Sequence, residues 1–335
     1  MTTYRQVKGY SIKSVSSDPS NPKEGQIWYN STVKTLKVSP LFTTGAWSSG
    51  ANLPQAMDQP GSSRLGTQTA MAIFGAGPHP SVSADTLEYD GTNWTTSNDL
   101  NTGRRLVNCS TGTLTAALAF GGFTPPGSPG MVKNTEEYNG TSWTNSNNLS
   151  GSAKYNAGGS GTQTSALSCG GNANPPFQLT ETEEYNGSSW TSGGNLNSGR
   201  TGGGSAGTQT ASLYAGGTTQ NATEEYNGSS WSEVNDLNEP RRVKGGGFGT
   251  QTAAIMAGGD GHSPPNPSSA GVCEQYDGTN FSTIANLGSN FYERRGGGAG
   301  TTTAGILVSG GPANNITEEW NDPSPRIEVR SVDVS

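Results

Sequence analysis

The chain is 335 residues long and carries 26 acidic against 19 basic side chains, a net charge of −7 that lacks the basic footprint of a nucleic-acid binder. Only 30% of its residues are hydrophobic, yet the charge is low, and seven Trp and eleven Tyr recur at set intervals among 50 Gly; this points to short strands and tight turns rather than disorder. No apolar run approaches the roughly 20 residues of a membrane-spanning helix, so no membrane insertion is expected. Residues 1–20 are too polar for a secretory leader. Cys109, Cys169 and Cys273 show neither metal-ligand spacing nor a disulfide framework and are expected to be free thiols, which suits synthesis in a reducing cytoplasm.

Residues 1–40 do not share the repeating pattern of the rest of the chain. After a Pro/Ser/Asn turn cluster, Gly25-Gln26-Ile27-Trp28-Tyr29-Asn30 and Thr35-Leu36-Lys37-Val38 alternate on either side of a short polar turn, which predicts a β-hairpin. The pattern from Pro22 through Ile27, Trp28 and Tyr29 to Lys37 resembles short hairpins of phage tail-fibre and other virion proteins.

From residue 41 onward one unit is written six times. Its plainest copy runs from Arg200 to Leu237. A Gly-rich run leads to Gly207-Thr208-Gln209-Thr210, a small apolar strand ends on Gly216-Gly217, and Glu224-Glu225-Tyr226-Asn227-Gly228 is followed by Trp231. The Gly-Thr turns start at Gly66, Gly112, Gly161, Gly207, Gly249 and Gly300, spacings of 46, 49, 46, 42 and 51 residues. Such periods belong to propellers with four strands per blade. Tyr89, Tyr138, Tyr185, Tyr226 and Tyr276 are each followed, five residues later, by Trp94, Trp143, Trp190, Trp231 or Phe281. These aromatics are expected to fill the space between blades. In the sixth copy Trp320 takes the Tyr position, but Pro323 and Pro325 make a poor fourth strand. Gly45-Ala46-Trp47-Ser48-Ser49 matches the missing element, so Trp47 is expected to complete the last blade, with residues 327–334 as the alternative.

A basic residue, a strand, a double Gly, then Tyr and Trp in the third and fourth strands: this order resembles the kelch repeat over residues 41–322. The resemblance implies an all-β fold, a six-bladed kelch-like β-propeller with a short N-terminal β-hairpin arm. The expected divisions are an attachment arm at 1–40, the propeller at 41–325 and a tail at 326–335.

Seven residues before the Gly-Thr turns stand Arg105, Lys154, Arg200 and Arg242, with Arg294 and Arg295 shifted by one or two. Such a ring at a channel mouth would attract an anionic ligand, such as a carboxylated or phosphorylated glycan. The opposing possibility is that Glu136-Glu137, Glu183-Glu184, Glu224-Glu225 and Glu318-Glu319 neutralise it. The connections between second and third strands vary most, and three contain Pro-Pro, at Pro125, Pro175 and Pro264. By strand parity they emerge on the same face as the cations, and variable loops on a rigid scaffold are where binding resides. The two histidines, His79 and His262, lie in such loops without a carboxylate cluster, and no nucleophile elbow or phosphate loop is present.

The simple Asn-Gly-Ser-Ser-Trp blades and the hairpin together resemble propeller proteins of marine phages. That resemblance implies a non-enzymatic virion protein of the tail, fibre or capsid surface, made in the host cytoplasm and needing no cofactor or metal. Ile27, Trp28 and Tyr29 would attach it within an oligomeric assembly of other virion proteins, and the propeller face would meet a host-surface glycan or protein. A cellular kelch-type interaction scaffold is the alternative, with a glycan-active enzyme behind it.

Overall fold

The structure is a computed structural model that describes residues 12–17, 27–38, 45–76, 82–106, 108–124, 130–218, 220–244, 246–261, 271–288, 296–308 and 315–322. Two compact units divide the chain, one formed by Gly45–Asn321 and the other by Met1–Thr44 with Asp322–Ser335. No helix occurs among the described residues.

The smaller unit contains one three-stranded sheet. Ile27–Asn30 and Thr35–Val38 form the expected antiparallel hairpin, and Asn30 Oδ1 accepts the backbone N–H groups of Thr32 and Val33 to close its turn. Lys13–Val15 adds a parallel strand beside Ile27–Asn30, which the sequence did not announce. Alternation sends Trp28 inward, 2% exposed, and leaves Ile27 and Tyr29 outside.

The larger unit is built from four-stranded antiparallel sheets of the kind a β-propeller uses. Sheet 1 comprises Gly61–Ser62, Met71–Phe74, Thr86–Tyr89 and Trp94–Ser97. Sheet 2 comprises Ser110–Thr113, Ala116–Phe120, Thr135–Tyr138 and Trp143–Ser146. Sheet 3 runs from Gly158–Thr162 and Ser165–Cys169 to Thr182–Tyr185 and Trp190–Ser192. Sheet 4 has Gly204–Gly207, Ser212–Ala215, Thr223–Tyr226 and Trp231–Val234. Sheet 5 has Gly247–Thr250, Ala253–Ala257, Cys273–Tyr276 and Phe281–Ile284. Sheet 6 joins Gly297–Gly300, Ala304–Val308 and Thr317–Asn321 to Ala46–Ser49 from the other end of the unit. In that last pairing Trp320 faces Trp47, as the sequence led us to expect, and the rings lie 5.4 Å apart.

The repeated residues tie each sheet to the one before it. Tyr138, Tyr185, Tyr226 and Tyr276 donate their hydroxyls to Glu88, Glu137, Glu184 and Glu225 of the preceding sheet, and Tyr89 of sheet 1 donates to Glu319 of sheet 6 at 2.6 Å. The indole N–H groups of Trp143, Trp190 and Trp231 reach Thr86, Thr135 and Thr182 in the same direction, and Trp94 reaches Thr317. Gln163, Gln209 and Gln251 of the Gly-Thr-Gln turns bond carbonyls of the sheet before, and Gln68 of sheet 1 bonds Trp320 O of sheet 6. Burying these polar tips is tolerable because each finds a partner.

The first strands lie side by side, close enough to need Gly and Ser. A Cβ on Gly247 would meet the Ser205 backbone at 2.7 Å. Ser62 N donates to Ser110 Oγ, and Gly159 N to Ser205 Oγ. Arg64 fills the space where these strands converge. It is 4% exposed, donates to Gly247 O at 3.0 Å and bonds Asn108 Oδ1, while Asn108 Nδ2 reaches Gly203 O. Burial lowers its pKa to about 10.

Candidate functional site

The expected cations divide into two sets. Lys154 and Arg200 are fully buried: Lys154 Nζ lies 2.7 Å from Glu183 Oε2, and Arg200 Nη1 lies 2.6 Å from Glu224 Oε1. The residues that play the same part in sheets 2 and 5 are not Arg105 and Arg242 but their neighbours Arg104 and Arg241, paired with Glu136 and Glu274. Backbone bonding shows the equivalence. The carbonyls of Arg104, Lys154, Arg200 and Arg241 accept from Ala76, Gly122, Gly171 and Gly217, respectively, each on the preceding sheet. A fixed spacing of seven from the Gly-Thr turn mixes two positions, because the connection is one residue longer in copies two and five. Arg294 and Arg295 lie outside the described residues, as do His79 and His262.

These carboxylates are held by more than the cation. Asn197 donates both its backbone N–H and its amide to Glu224 Oε2, and Asn101 and Asn238 do the same for Glu136 and Glu274. At Glu183 burial favours the protonated form, but Lys154 and the N–H of Gly151 outweigh it and hold the carboxyl below its ordinary value. A buried ion pair whose carboxylate is also held by backbone N–H groups serves the scaffold. Sheet 1 replaces it with apolar residues: Leu87 stands where the other sheets carry Glu, and Met57 precedes the first strand at the place of the cation, both in one apolar cluster.

The residue after each buried cation is where the copies differ: Arg105 and Thr201 are buried, Tyr155 and Arg242 half-buried. Arg105 lies over the Phe123 ring, which packs 6.0 Å from Tyr155. Tyr155, Thr201 and Arg242 line a pocket of about 300 Å³ between the connections of sheets 3, 4 and 5. Asn156, Asn172, Phe177, Gln178, Thr218 and Lys244 complete it, so the pocket is made of the two classes of connection that strand parity puts on one face. Phe177 is 66% exposed at its rim, from the Pro175-Pro176 loop. The side-chain oxygens Oδ1 of Asn156 and Asn172 are buried and accept no hydrogen bond among the described residues. Sequence reasoning singled out Arg242 but missed Phe177 and the two Asn; the one signal was an aromatic residue following a Pro-Pro step.

Cys109, Cys169 and Cys273 are free and buried, and burial pushes Cys169 and Cys273 up to about 12, far from a reactive thiolate. Among the described residues no group of His, Cys, Asp and Glu is arranged to hold a metal ion. Compared with known protein-family models and with curated proteins, the chain matches none.

Proposed function

We propose that residues 45–321 form a six-bladed, kelch-like β-propeller, closed by the Trp47 strand, and that the protein is a non-enzymatic component of a phage particle. Six blades are supported by six described sheets bonded in series, with Tyr89, Trp94 and Gln68 of sheet 1 bonding sheet 6. The smaller sheet is the attachment element, and the propeller is displayed toward a host-surface glycan or a virion protein within an oligomeric assembly.

One observation carries the attachment reading. Of the large apolar side chains exposed among the described residues, Ile12, Ile27, Tyr29 and Val33 belong to the small unit, and the remaining one, Phe177, marks the pocket rim. Ile27 and Tyr29 share one face of their strand while Trp28 anchors the other, which is the layout of a sheet that packs on a partner. The non-catalytic reading draws on the repeated carboxylates of the third strands, which are occupied by cations, Asn amides and Tyr hydroxyls.

Labelling tests it directly. Antibodies raised against the chain should decorate the surface of purified particles from infected cultures in electron micrographs. Label confined to cell debris, with clean particles, would overturn the proposal.

A further inference from the structure

We infer that Asn139, Asn186 and Asn227 are sites of self-assisted deamidation, at which the fold turns an asparagine side chain into aspartate with water as the co-reactant. The inference does not depend on the proposed display role, because its test reads the purified chain alone.

Three observations converge on these turns. The chain contains three Asn-Gly steps, Asn139-Gly140, Asn186-Gly187 and Asn227-Gly228, and they occupy one place in sheets 2, 3 and 4. All three asparagines are exposed. Glycine has no Cβ to hinder attack by its own nitrogen. At each step the Gly N–H bonds to no group among the described residues, so the nitrogen is available to react.

Each Asn Oδ1 accepts the N–H groups two and three residues on. The distances are 2.9 and 2.8 Å to Thr141 and Ser142, 3.0 and 2.9 Å to Ser188 and Ser189, and 3.0 and 2.9 Å to Ser229 and Ser230. Two backbone donors at that range polarise the amide carbon and hold the oxygen on which negative charge develops, the arrangement of an oxyanion hole.

The product already stands in the same turn. Sheets 1 and 5 carry Asp90-Gly91 and Asp277-Gly278 there. Asp90 Oδ1 accepts the N–H groups of Thr92 and Asn93 at 2.8 and 2.7 Å, and Asp277 Oδ1 accepts those of Thr279 and Asn280 at 2.9 and 2.7 Å. These backbone bonds hold both carboxyls below their ordinary value, so the turn favours an ionised aspartate.

The reaction balances without a cofactor. The Gly nitrogen gives up its proton and attacks the side-chain carbon; a C–N bond forms, the bond to Nδ2 breaks, and ammonia leaves with the proton. Water then opens the cyclic imide. Addition at the side-chain carbon restores the original main chain and leaves aspartate. Addition at the main-chain carbon leaves isoaspartate, which threads one extra atom through the turn. The fold opposes that second product: Tyr226 faces Trp231 across the turn with the rings 5.0 Å apart, and a longer backbone breaks this register. Each conversion adds one negative charge to a chain that starts at −7.

The experiment holds the full chain in mildly alkaline buffer, one sample native and one in urea, and follows each site by peptide mapping with mass spectrometry. Asn52, Asn148 and Asn195 are the comparators. Each is exposed, but the next residue is a Leu whose N–H is tied to Asn315 O, Lys133 O or Thr180 O, respectively. In the native sample the three Asn-Gly sites should convert at least about tenfold faster than the comparators. Their ratio of aspartate to isoaspartate should exceed that in urea, where no register constrains the opening. A combined variant, Asn139→Asp, Asn186→Asp and Asn227→Asp, should keep the parent's urea midpoint. Amides that persist in the native sample while converting in urea, comparators that keep pace, or an equal product ratio in both samples would each overturn the inference, as would a lowered midpoint in the variant.

Discussion

The buried Arg200–Glu224 pair gives a sharp test of the scaffold. Arg200→Met leaves Glu224 Oε1 without its cation while Oε2 keeps two donors from Asn197, so the cost should fall near the low end for a broken buried pair, about 3 kcal/mol. Glu224→Leu is worse. It strands the Arg200 guanidinium with only Tyr214 O at 3.1 Å and the Tyr214 ring at 5.0 Å, and it removes the acceptor of the Asn197 N–H. About 5 kcal/mol is expected for that variant. The double variant carries no buried charge and loses mainly the Asn197 contacts, about 2 kcal/mol, so the two substitutions should couple by roughly 6 kcal/mol. The protein already contains the product of this experiment in sheet 1, where Met57 and Leu87 occupy the corresponding places in an apolar cluster. Urea unfolding followed by tryptophan fluorescence, on the parent and all three variants, reads the cycle. A double variant as unstable as the two singles added together would refute the claim that the charges are retained only for each other.

Trp47→Ala should lower stability by about 2 kcal/mol, half of a fully buried Trp loss, because the half-buried ring packs on Trp320 and its N–H bonds Ala285 O; an unchanged urea midpoint would exclude Ala46–Ser49 as the closing strand. Ala76→Gly should stabilise by about 0.5–1 kcal/mol, because Ala76 holds φ at 96° where Gly122, Gly171, Gly217 and Gly259 hold the same place at 103–127°. A lower midpoint would show that the methyl packs better than its backbone strains. Burial, then the bond to the neighbouring carboxylate, pushes Tyr89, Tyr138, Tyr185 and Tyr226 up to about 12 from an ordinary 10.0. The phenols therefore ionise first in the unfolded chain: stability is complete below pH 10 and is lost as pH rises toward 12, and a flat profile across that window in denaturation experiments would contradict the sheet-to-sheet bonds.

Much of the fold was legible because the repeat encodes local geometry. Tyr226 and Trp231 face each other across an antiparallel pair, and Asn227 Oδ1 accepts the N–H groups of Ser229 and Ser230 while Gly228 supplies φ of 90°; that turn fixes the spacing of five. The double Gly was legible for a similar reason, since its residues hold positive φ, as at Gly216 and Gly217. The cation positions were only half legible. A one-residue difference in the connection hid that Arg104 and Arg241, not Arg105 and Arg242, join Lys154 and Arg200 in the buried set. The pocket was not legible at all as a pocket, because Tyr155 and Phe177 of sheet 3, Thr201 leading into sheet 4 and Arg242 leading into sheet 5 meet only when those sheets are stacked.

Departures from the repeat separate into two kinds, and the distinction locates function. Some come in matched pairs. Where sheet 6 carries Trp320 in place of Tyr, and so has no hydroxyl to donate, sheet 5 carries Gln275 in place of the accepting Glu. Where sheet 1 lacks the acid at Leu87, it also lacks the cation at Met57. Compensated changes of this sort keep the scaffold's bonds in balance and need no ligand to explain them. The other kind is uncompensated. Phe177 is a large exposed ring on a unit that otherwise hides its described large apolar residues, and Asn156 and Asn172 bury oxygens that nothing described in the fold satisfies. Exposure of the first and burial of the other two both cost free energy in the isolated chain. All three line one pocket, between the connections of sheets 3, 4 and 5.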